Sequence, residues 1–235
     1  SSLLTMTLIH EAERIGIRDD IETALSYAAW FHLDQMRANR AGFPKTPYIE
    51  HPLRNTIRII RWGCEDRDTL VASIFHDVVE DCAGRIVEMI DYTGDEDDMI
   101  VALRWIEFTF GAGVADIVSR VTNPVLPPGL SVEEKNASYL NHFVERVAGH
   151  AKALIVKCAD LADNAGSLFH HIGLVAVTSL FRRATKYEPV LVAASDALVV
   201  HSRNRTISKD VASNALMAMQ SALETMKPIL EGDSK

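Results

Sequence analysis

The sequence predicts a single all-α domain, and three observations carry that expectation. Apolar residues recur at helical spacing through most of the 235 residues, and the alternation of a half-buried strand is hard to find. Capping signals open several of the periodic stretches. No internal repeat, low-complexity tract or long linker divides the chain, so residues 1–235 are expected to form one unit, the helices after 173 included. Hydrophobic residues at 48% against charged residues at 24% give the balance of a globular protein, with enough length to bury a substantial core.

Taken in order, Asp19 with Glu22 three residues on has the form of a capping box, opening a helix to about Arg37. Ala41-Gly-Phe-Pro-Lys-Thr-Pro47 is a loop, because Gly and Pro suit neither helix nor sheet interior. Pro52 fits the first turn of the next helix and places His51 at its start. Along that helix Leu53, Ile57 and Ile60 share one face, and Arg54, Arg58 and Arg61 share another. Asp66 or Asp68 begins a helix that includes Leu70 to Val79. Further helices are expected at 83–92, 97–109, 112–121, 131–147 (with Ser131 and Glu134 as a second capping box), 150–167, 173–202 and 208–226 before Pro228. The acidic run Asp95 to Asp98 is most simply a solvated loop entering a helix, where acids favour the N-terminal dipole.

Charge and cysteine usage narrow the function classes. Twenty-four Lys+Arg against 32 Asp+Glu give a formal charge of −8, which disfavours a sequence-blind grip on nucleic-acid phosphate. No charge-free stretch is long enough to cross a bilayer, and no basic flank with an apolar signal core opens the chain. Cys64, Cys82 and Cys158 form no CxxC pair and are odd in number, so a disulfide framework is not expected. A cytoplasmic address follows as the expectation.

The informative residues are polar groups set into apolar helices. His76-Asp77 interrupts the run from Leu70 to Val79, and Glu80-Asp81 follows at once. At 3.6 residues per turn His76 and Glu80 lie one turn apart, as do Asp77 and Asp81, so all four project from one broad side of the helix. Ala153 to Val156 leads into Lys157, then Asp160, Asp163 and Asn164. His51 stands at a loop-to-helix junction in Tyr48-Ile-Glu-His-Pro52. Buried carboxylates need a cation or a partner. For Asp160 the simpler alternative is a salt bridge with Lys157. A set of His51, His76, Asp77 and Asp160 mixes imidazole with carboxylate, which suits Mn²⁺, Fe²⁺ or Zn²⁺. A metal so held lowers the pKa of bound water and presents a hydroxide to phosphorus, with Glu80 and Asp81 near enough to move the proton. No G-x-S-x-G elbow, H-E-x-x-H helix or P-loop offers other chemistry.

Ala28-Ala-Trp-Phe-His32 with Gln35 and Arg37, Pro47-Tyr-Ile-Glu-His-Pro-Leu53, Leu70 to Asp81, Phe110-Gly111 with Val121-Thr122, and Val156-Lys-Cys-Ala-Asp-Leu-Ala-Asp-Asn164 together resemble one family. It is the hydrolase domain of the RelA/SpoT homologues, within the HD phosphohydrolase superfamily, and the resemblance covers roughly residues 20–170. It implies a helical HD-domain bundle that removes the 3′-diphosphate from ppGpp and pppGpp, usually with Mn²⁺; Fe²⁺, Zn²⁺ or Co²⁺ are the other candidates. Carried over by position, His51, His76, Asp77 and Asp160 hold the metal, and Glu80 and Asp81 are the catalytic acid pair. Asn164 is the nucleotide-side asparagine, and Arg37 and Lys45 face the phosphates or the base. The chain then looks like a stand-alone small alarmone hydrolase with a nucleotide as its partner, and some such hydrolases act as antitoxins to an alarmone synthetase.

Three departures stand out: a longer stretch between Arg37 and His51, Leu161 where a basic residue often follows the last metal-binding Asp, and Asp163 in place of the usual His. Two other readings stay open at this point. One is hydrolysis of another nucleotide or of the 2′-phosphate of NADPH; the other is a catalytically idle alarmone-binding domain. Leu174 to Val200 and the Ala/Met-rich 211–226 helix would serve a homo-oligomer face or their own core equally well.

Overall fold

The computed structural model describes residues 1–37, 43–173 and 175–232; Ala41 and Gly42 of the expected loop, and Leu174, lie outside them. The all-α expectation holds. Among the described residues there are eleven α-helices, and the sheet is a two-stranded one of two residues per strand, β1 (Met36–Arg37) with β2 (Thr46–Pro47). Internal contacts divide the chain into two compact units, one of residues 1–36 and 47–122 and the other of 37–46 and 123–235.

The first unit holds seven helices: α1 (Ser2–Arg14), α2 (Arg18–Phe31), α3 (Glu50–Arg61), α4 (Arg67–Phe75), α5 (Val78–Met89), α6 (Asp98–Phe110) and α7 (Ala112–Val121). Helix α3 packs on α1 and α4, α2 packs on α4 and α5, and α6 and α7 close against α5 and α4. The core is aliphatic around Leu8, Ile21, Leu53, Ile59, Leu70 and Ile74, all essentially inaccessible. Beside it Phe31, Phe75 and Phe110 pack with Trp105 and Tyr27 in edge-on, tilted and stacked pairs, with centroids 4.9–6.3 Å apart. Thr56 Oγ1 lies 3.1 Å from Ser73 Oγ, a buried polar link that pins α3 to α4.

Several boundaries differ from the sequence expectation. Helix α2 starts at Arg18 and ends at Phe31, and no side chain caps its start. The carboxylate of Glu22 is drawn instead to Arg18 Nε at 2.7 Å, an ion pair that replaces the box. The run through Leu70–Val79 is not one helix. Helix α4 stops at Phe75, α5 begins at Val78, and His76-Asp77 forms the step between them. Asp66 caps α4, its carboxylate accepting from the Thr69 amide. Asp97 does the same for α6, accepting from the Met99 amide in the exposed acidic run.

The second unit contains α8 (Val132–His142), a π-helical turn at Phe143–Val147, α9 (Ala151–Gly166), a 3₁₀ turn at Leu168–His171, α10 (Val177–Arg203) and α11 (Lys209–Leu230). The Ser131/Glu134 capping box forms with both of its hydrogen bonds. Helices α9, α10 and α11 pack on one another, with α8 against α10. Their core is drawn from Phe143, Leu154, Leu161, Leu191, Leu198 and Met219. Helix α11 continues through Pro228, where the sequence predicts its end. Ile229 is 2% exposed, so burial of the last turn outweighs the hydrogen bond that Pro forfeits. No helix among the described residues is long and apolar enough to cross a membrane.

Candidate metal centre

In the first unit the step between α4 and α5 is what aims the chemistry. His76 and Asp77 leave the regular ladder, and Asp77 becomes the N-cap residue of α5. The ring of His76 is 3% exposed, and its Nδ1 lies 2.8 Å from the Ser73 carbonyl. A carbonyl can only accept, so Nδ1 carries the proton and the lone pair sits on Nε2. That Nε2 is 3.2 Å from Nε2 of the fully buried His51 and 3.0 Å from Asp77 Oδ2. His51 Nε2 is in turn 3.6 Å from Asp77 Oδ2. Two imidazole nitrogens and one carboxylate oxygen therefore converge on a single point.

This donor set fits a divalent metal ion. Two ring nitrogens facing each other in an interior have no reason to converge unless a proton or a cation lies between them. The mixture of imidazole and carboxylate without thiolate is that of Mn²⁺, Fe²⁺ or Zn²⁺ sites. The neighbours hold the ligands in place. Tyr48 Oη donates to Asp77 Oδ2. Asn55 Nδ2, one turn along α3, lies 3.3 Å from His51 Nε2. His32 Nδ1 donates to Gln35 Oε1 at 2.7 Å, its ring packs on Tyr48 at 4.6 Å, and burial lowers its pKa. Polar supports of this kind are the usual company of metal ligands.

Glu80 and Asp81 occupy the first turn of α5 and reach solvent. The spacing expected of one continuous helix is altered by the step, yet the Asp81 amide still bonds the Asp77 carbonyl at 2.9 Å, so Asp77 and Asp81 stay one turn apart. Desolvation, then the nearby Asp77 and Glu80 carboxylates, push the Asp81 carboxyl up to about 6. That value lies in the range where a carboxylate exchanges protons near neutrality.

In the second unit α9 presents Lys157, Asp160, Asp163 and Asn164 from one stretch. Asp160 is 3% exposed and is held by Lys157 Nζ at 3.0 Å and by Asn164 Nδ2 at 2.6 Å. The pairing with Lys157 is the one its spacing allows. Arg37 Nη2 donates to Asn164 Oδ1, and Arg37 Nη1 is 3.7 Å from Asp163 Oδ2. Arg37 and Asn164 are thus brought together, with Asp163 beside them as an acidic neighbour. Lys45 is exposed on the coil before β2. Tyr48, Asn55 and the Ser73 carbonyl were not singled out from the sequence as ligand supports. Asn55 was within reach, since a polar residue four after a buried His shares its face; a backbone carbonyl leaves no trace in a sequence.

No protein-family model matches the chain. Curated relatives do. A probable guanosine-3′,5′-bis(diphosphate) 3′-pyrophosphohydrolase of Mycoplasma pneumoniae is 27% identical over 160 residues, 63% of this chain and 18% of that protein. The corresponding protein of Xenopus tropicalis, MESH1, is 31% identical over 143 residues, 60% of this chain and 65% of that one. A GTP pyrophosphokinase of Myxococcus xanthus is 27% identical over 152 residues, 65% of this chain and 17% of that protein. The chain spans less than a fifth of the bacterial relatives' length. A solved structure of a metazoan orthologue of SpoT that hydrolyses ppGpp superposes with a TM-score of 0.60 over 88% of this chain and 96% of that one, at 19% identity. At that identity the likeness is one of fold. By sequence the chain is similar to guanosine-3′,5′-bis(diphosphate) 3′-pyrophosphohydrolases, and in fold to the metazoan SpoT orthologue.

Proposed function

We propose that the chain is a metal-dependent 3′-pyrophosphohydrolase of ppGpp and pppGpp, releasing pyrophosphate and leaving GDP or GTP. The observation that carries this is the convergence of His51 Nε2, His76 Nε2 and Asp77 Oδ2 in a buried step between two helices. The names of the relatives support the substrate class.

His51, His76 and Asp77 would hold the metal, with Asp160 as fourth ligand on the strength of its place in the Lys157–Asn164 motif. The donor set suits Mn²⁺, Fe²⁺ or Zn²⁺, and Mn²⁺ is the ion that the family resemblance implies. When bound, such an ion supplies a water of lowered pKa and charge neutralisation at the phosphate. The protein's own part is to orient and to move protons. Ser73 fixes the His76 tautomer, and Tyr48 turns the Asp77 carboxylate. Glu80 and Asp81 take the proton from the attacking water, for which the raised pKa of Asp81 suits it. Lys157 and Asn164 fix Asp160 in one rotamer. Arg37, Lys45 and Asn164 would contact the nucleotide, with Asp163 limiting how much positive charge Arg37 presents.

A cytoplasmic address goes with this function; Cys64, Cys82 and Cys158 are buried and form no disulfide among the described residues. An alarmone synthetase as genetic partner goes with it too, as does a second copy of the chain. The test is release of pyrophosphate from ppGpp by purified protein, with Mn²⁺ or with chelator. Turnover with Mn²⁺ that chelator abolishes is the expected result. No turnover of ppGpp or pppGpp by metal-loaded protein would overturn the assignment.

A further inference from the structure

Helix α3 does more than carry His51. Arg54, Arg58 and Arg61 follow one another along one side of it, in steps of one turn, and all three line a groove of about 490 Å³ against α1. Leu4 from α1, with Ile57 and Trp62, forms the apolar wall, and no carboxylate is among the lining residues. In a chain with a formal charge of −8, three guanidinium groups gathered into one concavity make a local exception to the field of the whole protein.

We propose that this groove is a second anion site, distinct from the donor triad, and that it takes a small polyphosphate: a pyrophosphate or the phosphate end of a nucleotide. The size is that of sites for small ligands. Arg54 to Arg61 spans seven residues, about 10 Å at helical rise, which two or three linked phosphates can bridge. Guanidinium groups match phosphate oxygens in paired, charge-assisted hydrogen bonds. Arg58 is set in advance, because its Nη1 donates to Asn55 Oδ1 at 2.9 Å and so fixes the plane of the fork. Glu50 Oε2 lies 3.8 Å from Arg54 Nη1 and offsets part of its charge. A lone anion of the carboxylate type would meet only one arginine, whereas a polyphosphate meets all three.

The test is calorimetric titration of inorganic pyrophosphate into metal-stripped protein at low ionic strength. Four proteins are compared: wild type, Arg54→Ala/Arg61→Ala, Arg61→Glu, and His76→Ala. Melting curves establish that each is folded; Arg61 is solvent-exposed, so its replacement costs no core. Saturable binding is expected in the wild type and in His76→Ala, weakened at least tenfold by each of the two arginine variants, with a shallower salt dependence. Equal affinity in wild type and both arginine variants would overturn the site, as would loss of binding only in His76→Ala or no binding to wild type at millimolar pyrophosphate. Failure here leaves ppGpp turnover untouched, and failure of ppGpp turnover leaves this titration standing.

Discussion

At the scale of single residues, the step at His76-Asp77 decides what the chain can do. His76→Ala removes a nitrogen donor, and Asp77→Asn removes the anionic oxygen. Each is expected to lose bound divalent metal and ppGpp turnover together, read by metal analysis and pyrophosphate release; a variant without metal that still turned over would break the link. If Glu80 takes the proton as proposed, Glu80→Gln is expected to keep metal and fold and to lose turnover at least a hundredfold in the pyrophosphate-release assay, within the range for a general base. Lys157 and Asp160 form a buried ion pair, and breaking one partner leaves a charge stranded. Lys157→Met should cost the metal-free protein about 3–5 kcal/mol in urea unfolding. A cost below about 1 kcal/mol would mean that the Asp160 carboxylate finds another cation.

Asp81 adds a pH dependence. Its folded carboxyl titrates at about 6 against an ordinary value of 3.8, so the folded state binds more protons than the unfolded state in that window. Stability of the metal-free protein therefore falls as pH rises from about 4 to 6, and the loss persists above it. Asp81→Asn should raise the melting temperature at pH 7 relative to wild type, with the gap closing towards pH 4. A gap that stayed constant across the window would contradict the shift. The acid itself was legible as one of four polar residues, His76-Asp77 and Glu80-Asp81, set in an apolar stretch. Its shift was not, because that depends first on how far folding desolvates the carboxyl and then on the nearby Asp77 and Glu80 carboxylates.

At the scale of elements, sequence grammar was most legible where local and tertiary signals agree. Asp66 and Asp97 each cap the helix they precede, and Ser131 with Glu134 forms its box. Ser131→Ala should cost about 1 kcal/mol, read in urea unfolding. Where signals compete, the pattern misleads: Glu22 pairs with Arg18 and leaves Asp19 inside α2. The break between α4 and α5 has no glycine or proline to announce it. It exists because His76 bonds back to the Ser73 carbonyl while Asp77 starts the next helix. Gly111 is the opposite case, a visible marker with a physical cause. It joins α6 to α7 at φ 100° and ψ 160°, a region that only glycine enters readily. Gly111→Ala should cost on the order of 1–3 kcal/mol for that reason. Melting indistinguishable from wild type would mean that the turn can relax.

At the scale of the whole molecule, the helical class was legible from periodicity, and the donors His51, His76 and Asp77 from their place as polar residues in apolar helices. The grouping of contacts into two compact units was not: Arg37 and residues 43–46 group with the later helices, and residues 1–36 and 47–122 form the other unit. The three cysteines are buried in the folded chain, and burial pushes Cys82 up to about 11 and Cys158 higher still. A thiol reagent at neutral pH should therefore label none of them in native protein and all three after denaturation. Rapid native labelling would show that a unit opens.

The central claim is that the donors converging at the α4–α5 step hold a divalent metal ion. Titrating Mn²⁺ into metal-stripped wild-type protein and His76→Ala, under calorimetry, tests it most directly. One tightly bound ion per wild-type chain and loss of that ion in His76→Ala is the result expected. Wild-type stoichiometry and affinity in His76→Ala would contradict it.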